Sequence, residues 1–360
     1  MCPAPADRTR ARARLDALVA AAKAPGLQYV AVTSDGPVFE HAAGAADLAG
    51  RRPMDAATTM MAYSMSKTIT AAAALTLVEA GTLGLDEPVD RYVARSPYGD
   101  AVTVRQLIAH TSGIPNPIPL RWVHGAAHHA GFDEAAALAS VLRAHPGRSS
   151  EPGAKFAYSN IGYWLLGSII ARAAGRPFTD YVSERVLSRL AIASSELGYT
   201  IVDPARHATG YLERWSLFNL FKGFLIDRAL VGQRQGSWIE IAPHHLNGPA
   251  FGGLVGTARS FGLFLTDQLR PRSALFGDAA RALFFEPQRT SNGREVPMTL
   301  GWHIGQAAGA RYFFKEGGGG GFHGMMRLYP GKGLGTVVLA NATGFNAAAC
   351  LDAVDPEVMV

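Results

Sequence analysis

Two lysines stand where lysine chemistry is possible, in a chain whose positive charge comes from 28 arginines and only six lysines. They are Lys67, in Ser64-Met65-Ser66-Lys67, and Lys315, in Lys315-Glu316-Gly317. A buried lysine can lose its proton and act as a base, whereas arginine stays charged at any workable pH. Ser64 and Lys67 are one helical turn apart, so their side chains share a helix face. This spacing predicts a serine nucleophile with a lysine base; a capping serine beside a solvated lysine is the simpler alternative.

The segment Tyr158-Ser159-Asn160 precedes an apolar run that begins at Ile161. A phenol held near two ammonium groups is expected to have a lowered pKa, which would let Tyr158 shuttle a proton. Asn160 offers a donor and an acceptor to the carbonyl group of a substrate. The alternative is that Ser159 or Asn160 only caps the following helix.

The third segment, Lys315-Glu316-Gly317, runs into four further glycines at 318–321. A glycine-rich edge lets a substrate approach the backbone, and its amides can point at an oxyanion. No Gly-Lys-Ser/Thr follows, which excludes a phosphate-binding loop. A flexible surface loop is the alternative interpretation.

Strand-like runs open and close the chain, and helical patterns fill its middle. Residues 27–33 and 36–40 predict a hairpin, and residues 66–81 predict a helix with Ser64 at its N-terminus, where the helix dipole favours negative charge. Further helices are predicted at 11–23 and 161–175, and further strands at 311–314, 325–329 and 335–340.

This order predicts an α+β fold: an antiparallel sheet built from both termini and flanked by helices, with an inserted helical domain. Residues 1–95 and 260–360 would form the α/β domain and residues 96–259 the mainly helical domain, with the active site in the cleft between them.

Composition excludes several classes of protein. The 360 residues are 48% hydrophobic and 18% charged, as in a globular protein with a large core. The net charge is +5, but the arginines are scattered apart from a cluster near the N-terminus, so nucleic-acid binding is not expected. Cys2 and Cys350 are the only cysteines, which excludes a disulfide framework and a thiolate metal site.

The longest apolar stretch, residues 215–230, is broken by Lys222, Asp227 and Arg228, so stable membrane insertion is not expected. Its aromatic residues predict a groove wall or lid that contacts substrate; core packing and an interfacial membrane anchor are alternatives. These residues are Trp215, Phe218 and Phe221. No secretory signal is visible, which predicts a cytoplasmic protein, or a periplasmic or secreted one whose leader has been removed.

The order Ser-x-x-Lys, Tyr-x-Asn, Lys-x-Gly resembles the serine β-lactamase and penicillin-binding-protein superfamily. The wide separation of the three motifs is similar to its class C β-lactamases and to family VIII carboxylesterases. The resemblance covers residues 27–343 and includes segments between the motifs, such as 78–89, 107–115 and 251–258. It implies a β-lactamase/transpeptidase-like fold, in which His110 is a structural corner and not a base.

The resemblance also implies roles. Ser64 would attack the substrate carbonyl, Lys67 and Tyr158 would take and return the proton, and Lys315 would keep Tyr158 acidic and oriented. The backbone amides of Ser64 and Gly318 would form the oxyanion hole. Asn160, Glu316 and Gly317 would contact substrate. No cofactor or metal is required, the substrate would be a small ester or amide, and the oligomeric state is left open.

Glu316 departs from the family pattern. Members that bind β-lactams or peptidoglycan usually carry a threonine or serine there, whose hydroxyl helps to hold the substrate carboxylate. An anion at this position would repel that group. We therefore expect a carboxylesterase acting on small to moderately hydrophobic esters. A β-lactamase, D-amino-acid peptidase or amide hydrolase is the first alternative, and a catalytically silent binding module is the second.

Overall fold

The computed structural model describes residues 8–93, 96–117, 122–214, 228–307 and 310–359. The helices are α1 Thr9–Ala20, α2 Ser66–Glu79, α3 Val104–Ile108, α4 Glu134–Ala144, α5 Asn160–Ala174, α6 Phe178–Val182, α7 Pro249–Gly252, α8 Ala258–Leu269, α9 Asp278–Phe285 and α10 Ala347–Val354. The strands are β1 Gly26–Thr33, β2 Gly36–Asp47, β3 Arg52–Pro53, β4 Met60–Met61, β5 Val123–Gly125, β6 Leu197–Gly198, β7 Gly210–Glu213, β8 Val231–Gln235, β9 Trp238–Ile241, β10 His244–Leu246, β11 Val255–Gly256, β12 His303–Ala307, β13 Ala310–Gly319, β14 Phe322–Tyr329 and β15 Leu334–Ala340.

A seven-stranded antiparallel sheet joins strands from both ends of the chain, in the order β12-β13-β14-β15-β1-β2-β3. The first strand pairs with the last, with Leu27 opposite Ala340. The α+β fold and the antiparallel sheet expected from the sequence are therefore confirmed.

The central strands β1 and β15 are buried almost throughout because helices cover both faces of the sheet. Val30 and Val337 point to one face, where they pack in the same core as α2 and α8. Tyr29 and Val338 point to the other face and pack with α1 and α10. This alternation follows from the two-residue period of a strand, and it places α2 inside the molecule.

Helix α2 is buried from Ser66 to Leu77. Four successive alanines, residues 71–74, let the neighbouring helices and the sheet approach its backbone closely. Helix α5 begins at the Ser159 cap, whose hydroxyl accepts a hydrogen bond from the Gly162 amide at 3.0 Å. It ends at Gly175 in the left-handed conformation, with φ of 66°. Both helices confirm the sequence-based predictions, and together they hold two of the three motifs.

The middle of the chain contains more strand than its sequence pattern predicts. Besides helices α3 to α7 it holds a three-stranded sheet, β7-β9-β8, and the short pair β5 with β10. It also supplies β6 and β11, which form a second three-stranded sheet with the earlier strand β4. The division of the chain at residues 95/96 and 259/260 stays a prediction. In the part of the chain that the structure describes, the helices are too short or too polar to span a bilayer.

Candidate active site

A strained turn presents Ser64 at the start of α2. Residues Tyr63–Met65 form a single 3-10 turn, and Tyr63 has a φ of 45°, in the left-handed region that non-glycine residues rarely adopt. The Tyr63 hydroxyl donates to the Gly320 carbonyl at 2.7 Å and lies 3.0 Å from His244 Nε2. A conformation of this kind costs about 1–3 kcal/mol and persists where its surroundings hold it. These contacts therefore fix the position of the serine beside the turn of the β13–β14 hairpin.

The Lys67 ammonium group is fully buried and has three partners. Its Nζ lies 2.9 Å from Ser64 Oγ, 2.8 Å from Asn160 Oδ1 and 2.6 Å from the Phe251 carbonyl in α7. The Phe251 carbonyl and the Asn160 carbonyl oxygen can only accept hydrogen bonds. They therefore take two N–H groups, and the third tetrahedral direction of the nitrogen points at Ser64.

This arrangement suits both protonation states of Lys67. As ammonium it donates to three acceptors, and as amine it keeps two N–H bonds and aims its lone pair at the Ser64 hydroxyl. Burial, and then the positive charge of Lys315, lower the pKa of Lys67 well below its ordinary value. A lowered pKa makes the neutral amine of Lys67 easier to reach, and the neutral amine can accept the serine proton.

Tyr158 reaches the same serine from the opposite side. Its hydroxyl donates to Ser64 Oγ at 2.8 Å, and its ring lies 4.9 Å from Lys67 Nζ. The sequence-based expectation of a lowered phenol pKa is wrong. Burial raises the pKa of Tyr158, and the hydrogen bond to Ser64 offsets this only in part. Tyr158 is thus a neutral phenol that donates a proton toward the nucleophile.

Lys315 lies behind Tyr158 and not against Ser64. Its Nζ is 5.6 Å from the centre of the Tyr158 ring and 3.5 Å from His303 Nε2. Burial lowers the pKa of Lys315 to about 7, so it carries only part of a charge at neutral pH. This explains why it does not hold Tyr158 acidic.

His303 is a site residue that the sequence analysis missed. Burial, followed by Lys315 and Lys67, lowers the pKa of His303 to about 2, so the ring is neutral and its Nε2 can accept from Lys315. Its ring is nearly parallel to that of Tyr158, at 6.3 Å, and to that of Phe314, at 5.1 Å. The signal in the sequence was its position directly after Gly301-Trp302, a pair that also resembles the family pattern.

His110 packs on the far side of Tyr158, at 4.3 Å between ring centres. It has a φ of 56°, and its Nδ1 accepts a hydrogen bond from the Ser159 amide at 3.1 Å. His110 therefore supports the Tyr158-Ser159-Asn160 segment at a corner of the chain.

Strand β13 brings the glycine-rich motif against the nucleophile. The Lys315-Glu316-Gly317 segment, for which a loop was an alternative, continues the strand as far as Gly319. At Gly317 a β-carbon would lie 2.1 Å from the Ala62 carbonyl oxygen and 2.7 Å from the Ser64 amide nitrogen. Only glycine lets this strand approach so closely, and the approach brings the backbone of residues 317–318 alongside the Ser64 amide.

Glu316 is paired with a histidine and is therefore not the isolated anion that its position in the sequence suggests. Its Oε1 lies 2.8 Å from Nε2 of His323, which is opposite Gly318 in the β13–β14 pairing. The hydrogen bond to His323 lowers the pKa of Glu316 against the effect of burial. A β-carbon on Gly318 would lie 2.9 Å from the His323 ring, so glycine makes the room for the imidazole.

These side chains line a cavity of about 540 Å³. Its described walls are Ser64, Tyr158, His303, Phe314, Glu316, Gly318, Gly319, His323 and Thr343. The predicted substrate contacts Trp215, Phe218 and Phe221 lie outside the described residues. Asn160 and Lys67 are not among these lining residues, whereas Glu316, Gly318 and His323 form part of the cavity wall.

Ser64, Lys67 and Tyr158 meet in this α+β fold as the family resemblance implies. The chain belongs to the Beta-lactamase family, which residues 11–355 match. The predicted membership of the serine β-lactamase and penicillin-binding-protein superfamily is therefore confirmed.

Individual relatives are more distant. The chain is 26% identical to Penicillin-binding protein 4* of Bacillus subtilis (strain 168), over 81% of its own length and 62% of that protein. It is 34% identical to the D-aminopeptidase of Brucella anthropi, over 49% of its length and 33% of that enzyme. It thus spans less than two thirds of the curated relatives it matches.

The D-amino acid amidase from Ochrobactrum anthropi SV3 shares the fold. Its complex with L-phenylalanine amide has a TM-score of 0.79 to this chain, at 21% identity, with 97% of this chain and 98% of that one covered.

Proposed function

We propose that this protein hydrolyses small neutral esters through a covalent acyl-enzyme on Ser64. The observation that carries the proposal is the environment of Lys67. Two carbonyl acceptors fix its N–H groups, Ser64 Oγ lies in the remaining direction, and burial makes the neutral amine accessible. A lysine that only capped a helix or formed an ion pair would need none of these features.

In the first half-reaction Ser64 Oγ bonds to the carbonyl carbon of the ester, and the serine proton passes to Lys67 Nζ. In this scheme the backbone amides of Ser64 and Gly318 stabilise the oxyanion. The bond to the alcohol then breaks. The leaving oxygen takes the proton from Lys67, relayed by the Tyr158 hydroxyl, and the acyl group stays on Ser64.

In the second half-reaction water attacks the acyl carbon. Its proton returns to Lys67 through Tyr158, the bond to Ser64 Oγ breaks, and Ser64 recovers its proton. No net proton remains on the protein. His303 and Lys315 do not touch the reacting atoms in this scheme; they hold the ring of Tyr158 in place.

The preference for neutral esters rests on Glu316. Its carboxylate lines the cavity beside Gly318, where a substrate carboxylate would come close to it. Because His323 neutralises part of its charge, the discrimination against anions is expected to be moderate.

A second candidate, hydrolysis of amino-acid amides, is favoured by a separate observation. The relatives include D-aminopeptidases, and a carboxylate in the cavity wall offers an acceptor for a substrate ammonium group. In an amidase Glu316 would attract the ammonium group of the substrate, whereas in an esterase it would repel anionic substrates.

Two measurements test the proposal. A fluorophosphonate should label wild type on the Ser64 peptide, as read by mass spectrometry, and should not label Ser64→Ala. Adducts on Ser112 or Ser159 would contradict the assignment. Rates on p-nitrophenyl acetate, nitrocefin and D-alanyl p-nitroanilide then separate the candidates. Faster hydrolysis of p-nitrophenyl acetate than of the other two substrates supports the esterase. Faster hydrolysis of the anilide supports the amidase, and strong hydrolysis of nitrocefin contradicts the ester preference.

A further inference from the structure

A second cavity, of about 420 Å³, lies outside the active site. Among the described residues that line the two cavities, none is shared. Its walls come from α4, α6, β10 and the segments around β6 and α7. Its carboxylate, phenol and aromatic ring groups come from Phe132, Glu134, Asp180, Tyr199, His129 and His245, among others. Its volume falls within the range typical of sites for small molecules, roughly 300–1,000 Å³.

Two polar groups at this cavity have unused hydrogen-bonding capacity. Tyr199 is only 7% exposed, and its hydroxyl has no hydrogen-bond partner among the described residues. Glu134 accepts one hydrogen bond, from the Trp164 indole at 3.1 Å, and makes no ion pair with any described residue. Buried hydroxyl groups are normally paired, so the unpaired hydroxyl of Tyr199, a residue that lines the cavity, indicates a missing partner.

The charge of the cavity is negative, although the chain as a whole is basic. Glu134 and Asp180 line it, and no arginine or lysine stands among its described lining residues. Burial raises the pKa of Glu134 to about 7, and the hydrogen bond from Trp164 offsets this only in part. The carboxylate in turn contributes, after burial, to the raised pKa of Tyr199.

The histidines of the cavity supply aromatic faces without positive charge. Burial lowers the pKa of His124 and His129, and that of His245 to about 3. The rings of His129 and His245 stack at 3.7 Å, and the ring of His124 stacks on Phe132 at 3.9 Å. Neutral aromatic walls beside carboxylates favour an organic cation, which gains both ion pairing and cation–π contact.

We propose that this cavity binds a small organic cation, a primary ammonium on an apolar or aromatic body, at a site separate from the active site. The ammonium donates to Glu134 and to the Tyr199 oxygen, and the body lies against the histidine and phenylalanine rings. A short chain of contacts connects this site to Lys67. Trp164, which holds Glu134, packs on Phe251 at 5.4 Å, and the Phe251 carbonyl accepts from Lys67.

Isothermal titration calorimetry with three ligands of similar size tests the charge requirement. Benzylammonium should bind, whereas benzyl alcohol and benzoate should bind at least tenfold more weakly. Because the cation stabilises the Glu134 carboxylate, binding near pH 7 should release protons, and the measured heat should change with the ionisation enthalpy of the buffer. Equal binding of the alcohol, or no benzylammonium binding up to millimolar concentrations, would overturn the proposal.

Two variants locate the cation. Glu134→Gln keeps an acceptor for the Trp164 indole but removes the charge, and should weaken benzylammonium binding roughly tenfold to a hundredfold. Tyr199→Phe removes only an unpartnered hydroxyl. It should weaken binding about threefold to tenfold while leaving the melting temperature of the free protein unchanged or higher.

Glu316→Gln, in the active-site cavity, is the matched control and should leave the affinity unchanged. Binding that is lost in Glu316→Gln but kept in Glu134→Gln and Tyr199→Phe would place the cation in the active site and refute a second site. The assay does not depend on hydrolysis, so a failure here is distinct from a failure of the proposed esterase function.

Discussion

The Glu316–His323 pair should make the active site select substrates by charge in a manner that depends on pH. His323 Nδ1 lies 3.1 Å from the Thr343 carbonyl and Nε2 lies 2.8 Å from Glu316 Oε1, so both ring nitrogens face acceptors. Burial alone would lower the pKa of His323, but the hydrogen bonds to Glu316 and Thr343, with the charge of Glu316 and Glu213, raise it overall. Arg327 adds positive charge that acts on Glu316.

The sign of the pH effect follows from this raised pKa. Below the pKa of His323 the pair is close to neutral, and an anionic substrate meets little net repulsion. As the pH rises through that pKa, His323 loses its proton and Glu316 keeps its negative charge without that partner. Selectivity against anionic substrates should therefore increase with pH.

The magnitude can be estimated from the geometry. Two unit charges about 6 Å apart interact by about 3 kcal/mol at an effective dielectric constant of about 20. The side chain of Glu316 is 43% exposed, so solvent screening reduces this to about 1–2 kcal/mol. The corresponding change in kcat/KM is roughly fivefold to thirtyfold.

The assay compares p-nitrophenyl acetate with the p-nitrophenyl monoester of succinate. The leaving group is the same, so the ratio of the two kcat/KM values cancels the titration of Lys67 and Lys315. In wild type the ratio of anionic to neutral ester should fall as the pH rises from 6 to 9. Glu316→Gln should raise the ratio and shift its fall to lower pH, because His323 loses the carboxylate that raises its pKa. His323→Asn should remove the pH dependence and hold the ratio near the low value that wild type reaches at high pH.

A surface variant serves as the control. Glu184→Gln removes an exposed carboxylate that pairs with Arg176 and should leave the ratio unchanged. A wild-type ratio that does not vary with pH, or equal effects of Glu316→Gln on both esters, would mean that Glu316 shapes the strand and does not select by charge.

Three further substitutions test the catalytic cluster. Lys67→Arg should lower kcat nearly as much as Lys67→Ala, because a guanidinium cannot accept the serine proton; retention of most of the activity would leave Lys67 only an electrostatic role. Tyr158→Phe should lower kcat roughly a hundredfold to ten-thousandfold with little change in thermal unfolding, because among the described residues the hydroxyl forms a hydrogen bond only with Ser64; a loss below threefold would exclude Tyr158 from proton transfer. Gly317→Ala should destabilise the protein by about 1–3 kcal/mol and abolish esterase activity, since its β-carbon would overlap the Ala62 carbonyl and displace Ser64; normal denaturant unfolding and rates would contradict this packing.

Local patterns in the sequence predicted most of the framework. The opening hairpin, the alanine-rich helix after Ser64 and the capped helix after Ser159 all depend on contacts within a short segment, which turn residues, caps and periodicity report directly. The three motifs were visible for the same reason. The reactive side chains of each motif lie within four consecutive residues.

What the sequence did not reveal depends on pairing between strands. His323 reaches Glu316 only because β13 and β14 pair with Gly318 opposite His323, and His303 reaches the site through the pairing of β12 with β13. The charges of two nearby lysines alone predict a low pKa for Tyr158, but burial of the phenol itself raises that pKa, and burial also lowers the pKa of both lysines. Register and burial are properties of the assembled fold, and no short segment encodes them.

The pairing of the first strand with the last also sets the order in which the proposed site can assemble during synthesis. Strand β1 needs β15 beside it, and Ser64 needs β13 against its turn, so neither contact can form before those late strands have left the ribosome. At roughly 5–20 residues per second, synthesis of Ser64 precedes that of β13 by tens of seconds. We therefore expect a nascent chain that carries Ser64 and Lys67, but not yet β13, to lack the assembled site.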